Sequence, residues 1–207
     1  MRTLGIILAR GGSKRLPHKN KRLMGDKALI YYTIKCALDS YITDVFVSSD
    51  DKEILSISKK YGAQIIKRPK ELAEDDTPSL VSFKHAIKEA EKLYGDKCYD
   101  KVVLLQPTSP TRTIQMINRS IYVNSDVCIT VENAYHGMKN ATFIENGAVY
   151  VLRREIVEKI EPKSKYMIDD ILREKFAICC IVTEHCEDID SEEQFKRVEA
   201  ELCHTSS

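Results

Sequence analysis

The run Ala9-Arg10-Gly11-Gly12-Ser13-Lys14-Arg15-Leu16-Pro17-His18-Lys19-Asn20 sets two adjacent glycines, a hydroxyl and four permanent cations directly behind an apolar stretch, residues 1–8. Glycines let a loop adopt positive φ and turn its N–H groups inward, and arginine and lysine neutralise polyphosphate. A basic turn left in solvent is the plain alternative; the pairing of glycines and cations behind a strand favours an anion cradle. The loop lacks a Gly-Lys-Ser/Thr ending, so it is not a Walker A motif. Near the other end, Asp188 and Asp190 stand two apart in front of Ser191. Extended backbone would put both carboxylates on one side, a hard oxygen site suited to Mg²⁺ and phosphate oxygens. They also read as an acidic cap on a final helix, and both roles can hold together.

Three further positions carry chemistry. Gln106 closes an apolar run ahead of Pro107, so its amide either faces a cleft or satisfies a turn. Arg112 is either a ligand cation or a solvated side chain of a first helical turn. Arg68 precedes Pro69, which holds it extended; its guanidinium either reaches phosphates or pairs with Glu71 or Asp75. Of the five histidines only His18 lies inside the cationic loop, and none shows ligand spacing.

These residues need a scaffold, and strand and helix patterns alternate along the chain. Apolar runs at residues 1–8, 44–48, 64–66, 101–105, 127–131, 147–152 and 176–182 read as strands. Helical periodicity covers 28–38, 52–61 and 80–93, with further helices expected at 111–123, capped by Thr111, and at 191–202, capped by Ser191. Repeated β–α units predict a mostly parallel sheet covered on both faces. The cationic loop, following the first strand, then lies at the carboxyl edge where such sheets bind ligands.

Composition narrows the classes. The 207 residues fit one domain, and 43% hydrophobic residues suffice for a core. A net charge of +1 supplies no global basic field, which argues against a nucleic-acid partner. No run approaches the ~18 apolar residues of a membrane span, and no signal peptide is visible. Seven cysteines without a Cys-x-x-Cys pair fit reduced thiols and a cytoplasmic setting; a zinc site is a poor second reading.

Taken together, the motifs resemble a known family. The residue 9–20 run looks like the opening signature of the cytidylyltransferases that activate sialic acids and related acidic sugars. Arg68-Pro69-Lys70-Glu71-Leu72-Ala73-Glu74-Asp75 resembles the second signature, and Leu104-Leu105-Gln106-Pro107-Thr108-Ser109-Pro110-Thr111-Arg112 the third. Asn146-Gly147-Ala148-Val149-Tyr150 and Asp188-Ile189-Asp190-Ser191-Glu192-Glu193 are similar to the fourth and fifth. The resemblance implies an α/β, Rossmann-like three-layer nucleotidyltransferase fold, glycosyltransferase-A-like, in a single domain. It implies that Arg10 and Lys19 hold a triphosphate, that Ser13 meets a phosphate oxygen and that Asn20 helps at the nucleotide, with Ala9, Gly11 and Gly12 in the same cradle. It gives Arg68 and Asp75 active-site roles and puts a ribose or base contact near Thr77 or Ser79. It assigns the acceptor to Gln106, Thr108, Arg112, Lys139 and Tyr150, and Mg²⁺ to Asp188 and Asp190.

The match departs at residues 132–160, an acceptor and dimerisation excursion shorter than the family's. There only His136 and Lys139 are cation candidates, and an Arg-Gln pair typical of the family is absent. The expected function is transfer of CMP from CTP to an acidic sugar of the sialic-acid-like nonulosonate class, releasing pyrophosphate, by a homodimer. Transfer to a smaller acid such as a phosphonate, and a nucleotide-binding module without turnover, are the alternatives.

Overall fold

The computed structural model describes residues 1–133 and 143–204. Its centre is a seven-stranded sheet built from β1 (Thr3–Leu8), β4 (Asp44–Ser49), β5 (Gln64–Lys67), β6 (Lys101–Leu105), β7 (Val127–Asn133), β8 (Phe143–Arg153) and β9 (Ile178–Val182). A two-stranded ribbon of β2 (Leu23–Met24) and β3 (Lys27–Ala28) stands apart. The sheet order is β5-β4-β1-β6-β8-β7-β9, and β8 alone runs against the others. From β1 the chain moves outward to β4 and later returns to β6 on the other side. This reversal opens a crevice at the carboxyl ends of β1 and β6, beside the cationic loop.

Period-2 alternation divides the core. Ile6, Val102 and Leu104 face one layer with Leu80, Phe83 and Ile156, whereas Ile7, Val103 and Leu105 face the other with Ile34, Ile54 and Ile117. The first layer holds α3 (Ser79–Tyr94), α5 (Arg154–Val157) and α6 (Met167–Arg173). The second holds α1 (Leu29–Leu38), α2 (Lys52–Lys60) and α4 (Ile114–Tyr122). The fold is therefore an α/β, Rossmann-like three-layer sandwich, with the mostly parallel, doubly covered sheet that the pattern predicts.

A third, smaller cluster decides where the site forms. Leu16 of the cationic loop packs with Met24, Leu29, Ile189, Phe195 and Val198, all buried. Phe195 and Val198 lie on α7 (Glu192–His204), so apolar burial draws the carboxyl-terminal segment against the loop.

Several local expectations change. The hydroxyl capping α4 is that of Thr113, which accepts from the Met116 amide at 3.2 Å, and not that of Thr111. Asp51 caps α2, accepting from the Glu53 and Ile54 amides at 2.7 and 3.2 Å. β8 starts at Phe143, ahead of the expected Gly147, and a bulge interrupts its pairing with β7 between Ile129 and Val131. The interval 132–160, expected as an excursion, runs in its described part through β8 and α5 of the main body. His136 and Lys139 lie outside the described residues. Helices α5 and α6 are too short to leave a periodic signal.

Candidate active site

A cavity of about 750 Å³ opens at the carboxyl ends of β1 and β6. One wall is the cationic loop, from Arg10 through Asn20; the opposite wall comes from Arg68, residues 72–77 and the start of α3. Beyond Gln106 the cavity widens toward Glu145, Tyr150 and the first turn of α6.

The loop is fixed by its own polar groups. The Ala9 amide donates to the Ser48 carbonyl at 3.0 Å, continuing the strand by one residue. The Gly11 amide donates to Asp50 Oδ1 at 3.0 Å, and a Cβ at Gly11 would fall 2.8 Å from Asp51 Cβ. Gly11 is thus required for close approach to the start of α2. Neither Gly11 nor Gly12 is among the positive-φ residues, which corrects the expectation of inward-turned amides. Ala9 and Gly11 lie outside the cavity lining, whereas Gly12 and Ser13 border it. His18 makes the left-handed turn, with φ 57°, and is exposed outside the lining. Asn20 is buried; its Nδ2 donates to the Arg10 carbonyl at 2.9 Å, and its Oδ1 has no partner among the described residues. Asn20 is among the residues lining the cavity, and an unpaired amide oxygen suits a ligand hydroxyl.

The cations of the loop are already paired. Lys19, only 11% exposed, donates to the Ile189 carbonyl at 2.6 Å and to Asp190 Oδ1 at 3.0 Å. Arg15 contacts Asp190 Oδ2 at 2.7 Å. Arg10 and Lys14 share Asp75, at 2.5 and 2.6 Å. Those two donors, Lys14 first, hold the Asp75 carboxyl below the usual carboxylate range. The two ends of the sequence therefore meet in one site. Asp75, expected among the nucleotide ligands, is an anion seated on the cations that would bind phosphate.

Asp190 faces the cavity, while Asp188 is exposed and outside its lining. The Ile189 amide donates to the Thr108 carbonyl at 2.8 Å, tying this segment to the loop after β6. Ser191 and Gln194 form a reciprocal cap: the Gln194 amide donates to Ser191 Oγ at 3.2 Å, and the Ser191 amide to Gln194 Oε1 at 2.9 Å. Capping α7 and presenting Asp190 are compatible.

Arg68 is 5% exposed, and its Nε and Nη2 have no hydrogen-bond partner among the described residues. The nearest carboxylate, Asp50 Oδ1, is 4.0 Å away, and neither Glu71 nor Asp75 pairs with it. Burial pulls the guanidinium down to about 10 against the opposing pull of Asp50. A buried arginine with unmade bonds at a cavity wall is equipped for an incoming acceptor of hydrogen bonds. Thr77 and Ser79 border the cavity, but both hydroxyls are engaged: Thr77 donates to the Glu71 carbonyl at 2.9 Å, and Ser79 accepts from the Met167 amide at 3.0 Å.

At the far end, Gln106, Thr108 and Tyr150 line the cavity. Gly147, with φ 66°, leaves room for the amide: an added Cβ would lie 3.4 Å from Gln106 Nε2. Asn146 accepts from Thr130 Oγ1 at 2.7 Å and from the Ala148 amide at 3.2 Å, and donates to Thr183 Oγ1 at 2.9 Å. It braces the turn. Arg112 does not line this cavity; it is 5% exposed and donates to the Gln106 and Ala148 carbonyls and Thr33 Oγ1. Its expected acceptor contact is thereby corrected.

Sequence reasoning missed Glu145, Lys165, Tyr166 and Asp169 in the lining. Burial, then Asp188 and Asp169, push the Glu145 carboxyl up to about 7. Its only signal is its place before Asn146-Gly147; the α6 residues lie in a polar stretch without periodicity. Among the described residues no cluster of three metal-ligating side chains exists, and no helix is long and apolar enough to cross a membrane. All seven cysteines are free.

Comparison with known proteins adds the family. The cytidylyltransferase family model matches residues 4–161, most of the chain. The chain belongs to the cytidylyltransferase family. It is 44% identical over 115 residues to the N-acylneuraminate cytidylyltransferase of Escherichia coli, covering 54% of this chain and 26% of that protein. To the CMP-N,N'-diacetyllegionaminic acid synthase of Legionella pneumophila it is 38% identical over 126 residues, or 60% and 53% of the two. The chain thus spans about half or less of the length of these relatives. In fold it resembles CMP:2-keto-3-deoxy-manno-octonic acid synthetase complexed with CTP, with a TM-score of 0.80 over 99% of this chain and 100% of that one at 13% identity.

Proposed function

We propose that the chain transfers CMP from CTP to an acidic sugar of the nonulosonic acid class and releases pyrophosphate. The observation that carries this reading is the meeting of Lys19 with Ile189 and Asp190 across the cavity, which puts the polycation and the carboxyl-terminal carboxylate within reach of one ligand. The family membership and the acids named for its relatives support the nucleotide and the acceptor.

Polyphosphate enters by exchange. Arg10 and Lys14 leave Asp75, Arg15 and Lys19 leave Asp190, and the four cations take the β- and γ-phosphates. Arg68 turns its unmade bonds to the nucleotide, and Asn20 Oδ1 accepts from a ribose hydroxyl. Gln106, Thr108 and Tyr150 orient the acceptor so that its hydroxyl approaches the α-phosphorus opposite the departing pyrophosphate. Little covalent chemistry falls to side chains; positioning and charge neutralisation dominate phosphoryl-type transfer.

Asp190 would hold the divalent ion, which we take as Mg²⁺; Asp188, expected as its partner, lies outside the cavity lining. The fit rests on the donor set. Asp190 presents a carboxylate to the cavity, and one or two carboxylates with substrate phosphate oxygens are how Mg²⁺ is commonly bound. When bound, the ion polarises phosphate oxygens and offsets charge on the leaving group. The reading extends to one nucleotidyltransferase domain acting as a homodimer in the cytoplasm, where the free cysteines would stay reduced.

A nucleotide-by-acceptor panel tests it, with pyrophosphate as the readout. CTP with a nonulosonic acid should release pyrophosphate only with a divalent cation and stop on chelation. Faster release with another nucleotide and a sugar phosphate would replace the proposal.

A further inference from the structure

We infer that Arg112 is the positioning residue of the acceptor end: its buried guanidinium holds Gln106 and the Gly147 turn in register where the backbone pairing between them stops. The inference rests on the cytidylyl-transfer reading and goes beyond it to the device that shapes the acceptor pocket.

Pairing between β6 and β8 ends at Leu105 opposite Val149. The next step outward would set Gln106 opposite Ala148. There the guanidinium bridges the two carbonyls: Nη2 donates to the Gln106 carbonyl at 2.5 Å and Nε to the Ala148 carbonyl at 2.6 Å. The third nitrogen, Nη1, donates to Thr33 Oγ1 at 3.1 Å, and that hydroxyl also reaches the Gln106 carbonyl at 3.4 Å. One planar fork thus joins β6, β8 and α1 one residue short of the groups that line the cavity.

Energetics favour a positional role. Arg112 is 5% exposed, and no carboxylate is among its hydrogen-bond partners. A buried cation whose hydrogen-bond partners are all neutral is costly to hold. Arg154 is the contrast. Equally buried, it meets Glu91 with two bonds at 2.7 and 2.8 Å and leaves no charge uncompensated. What the Arg112 fork supplies is direction: a rigid plane with donors at fixed angles, which lysine cannot reproduce. Gly147, held at a φ of 66°, brings its backbone against the Gln106 amide. A change of a few tenths of an ångström between β6 and β8 would therefore alter the amide's aim.

The experiment is a double-mutant cycle of Arg112→Met with Gln106→Ala, with Arg112→Lys measured beside it. Arg112→Met should lower kcat/KM for the acceptor on the order of tenfold to a hundredfold. CTP affinity, measured without acceptor, should stay within about twofold. Arg112→Lys should recover only part of the loss, and Arg112→Met should add nothing once Gln106 is alanine. Full additivity, or an equal loss of CTP affinity, would overturn the inference. Should Arg112→Met fail to fold, Thr33→Val, which removes one contact of the fork, is judged by the same cycle. If the wild-type chain releases no pyrophosphate from CTP with any acid, the transfer reading fails by itself. The Gln106 side-chain amide resonance in ¹⁵N-labelled protein then decides the role of Arg112: displacement in Arg112→Lys supports it, and an unmoved resonance overturns it.

Discussion

The two ends of the cavity solve opposite electrostatic problems. At the phosphate end four cations stand with two carboxylates, Arg10 and Lys14 on Asp75 and Arg15 and Lys19 on Asp190. Without such counter-ions, like charges this close would repel one another and spread the loop. At the acceptor end the balance is reversed: Glu145 and Asp169 face the cavity with Lys165 as the nearby cation of the lining. Neutral hydrogen bonds and a tightly fitted glycine shape that end. On the proposed reading a polyanion would be captured by exchange of partners, while an acceptor would be selected by shape and hydrogen-bond direction. Substitutions at the two ends should differ in kind.

The largest effect should come from Asp190, which serves both as counter-ion to Lys19 and Arg15 and as the proposed carboxylate for the divalent ion. Asp190→Asn should lower metal-dependent pyrophosphate release about a thousandfold, since an anchored metal contributes several kcal/mol to charge stabilisation. Melting temperature should fall only modestly: Lys19 and Arg15 lose their counter-charge, but the Ser191–Gln194 cap of α7 stays intact. Turnover near the wild-type rate would remove Asp190 from the site. Next is Lys19→Ala, expected to reduce the rate tenfold to a thousandfold, on the order of losing one preorganised transition-state donor. If the loss lay only in CTP affinity, Lys19 would be a binding group and the phosphate end would hold substrate and transition state alike.

Gly147→Ala probes the other end. Its φ of 66° is strained for any L side chain, and the new methyl group would come into van der Waals contact with the Gln106 amide. The expected loss of stability is about 1–2 kcal/mol from the backbone alone. Activity should fall through the acceptor KM, with CTP binding spared; a parallel loss for both substrates would mean that the two ends are not separable.

How far the sequence reached follows the same division. The first strand and the turn of cationic residues behind it are local signals, and the strand forms where they put it; the approach of Asp190 to Lys19 spans 171 positions and no local signal carries it. The turn chemistry of the loop was misread: the glycines provide close approach at Gly11 and open space at Gly12, since Asp50 already takes the Gly11 amide. That Arg112 is buried while Arg10 borders the cavity could not be read from residue type. Burial depends on which carbonyls the fold brings to the side chain, and Ala148 is 36 positions away. The acceptor wall at Lys165–Asp169 was invisible for a related reason: α6 has seven residues and reaches the cavity through contacts such as the one between Met167 and Ser79, 88 positions apart. Charge pairing was the other hidden feature, because Asp75 meets Arg10 across 65 positions.

Glu145 sharpens the contrast through pH. Burial raises its carboxyl from 4.5 to about 7, so the folded protein binds this proton more tightly than the unfolded chain does. Its contribution to stability is fully present below about pH 4.5 and is lost as pH rises through about 7. Glu145→Gln cannot ionise, so wild-type melting temperature should fall relative to this variant across that window. Parallel melting curves would mean that Glu145 has a counter-charge and that the acceptor end is as well paired as the phosphate end.

Asp75→Asn carries the smallest effect and the most informative sign. A carboxylate that bound nucleotide, directly or through an ion, would weaken CTP binding when removed. A counter-ion would do the reverse: asparagine keeps a hydrogen-bonding oxygen but gives up the charge, so Arg10 and Lys14 would meet the phosphates without first leaving an anion. The pairs are partly exposed, so the gain should be about two- to fivefold in CTP affinity and should shrink as salt screens them. Calorimetric titration of CTP at low and high ionic strength measures it. Tighter binding that converges with the wild type at high salt fits a placeholder that phosphate displaces. Weaker binding at every salt concentration would return Asp75 to the nucleotide ligands and break the distinction between an end organised by exchangeable charge and one organised by shape.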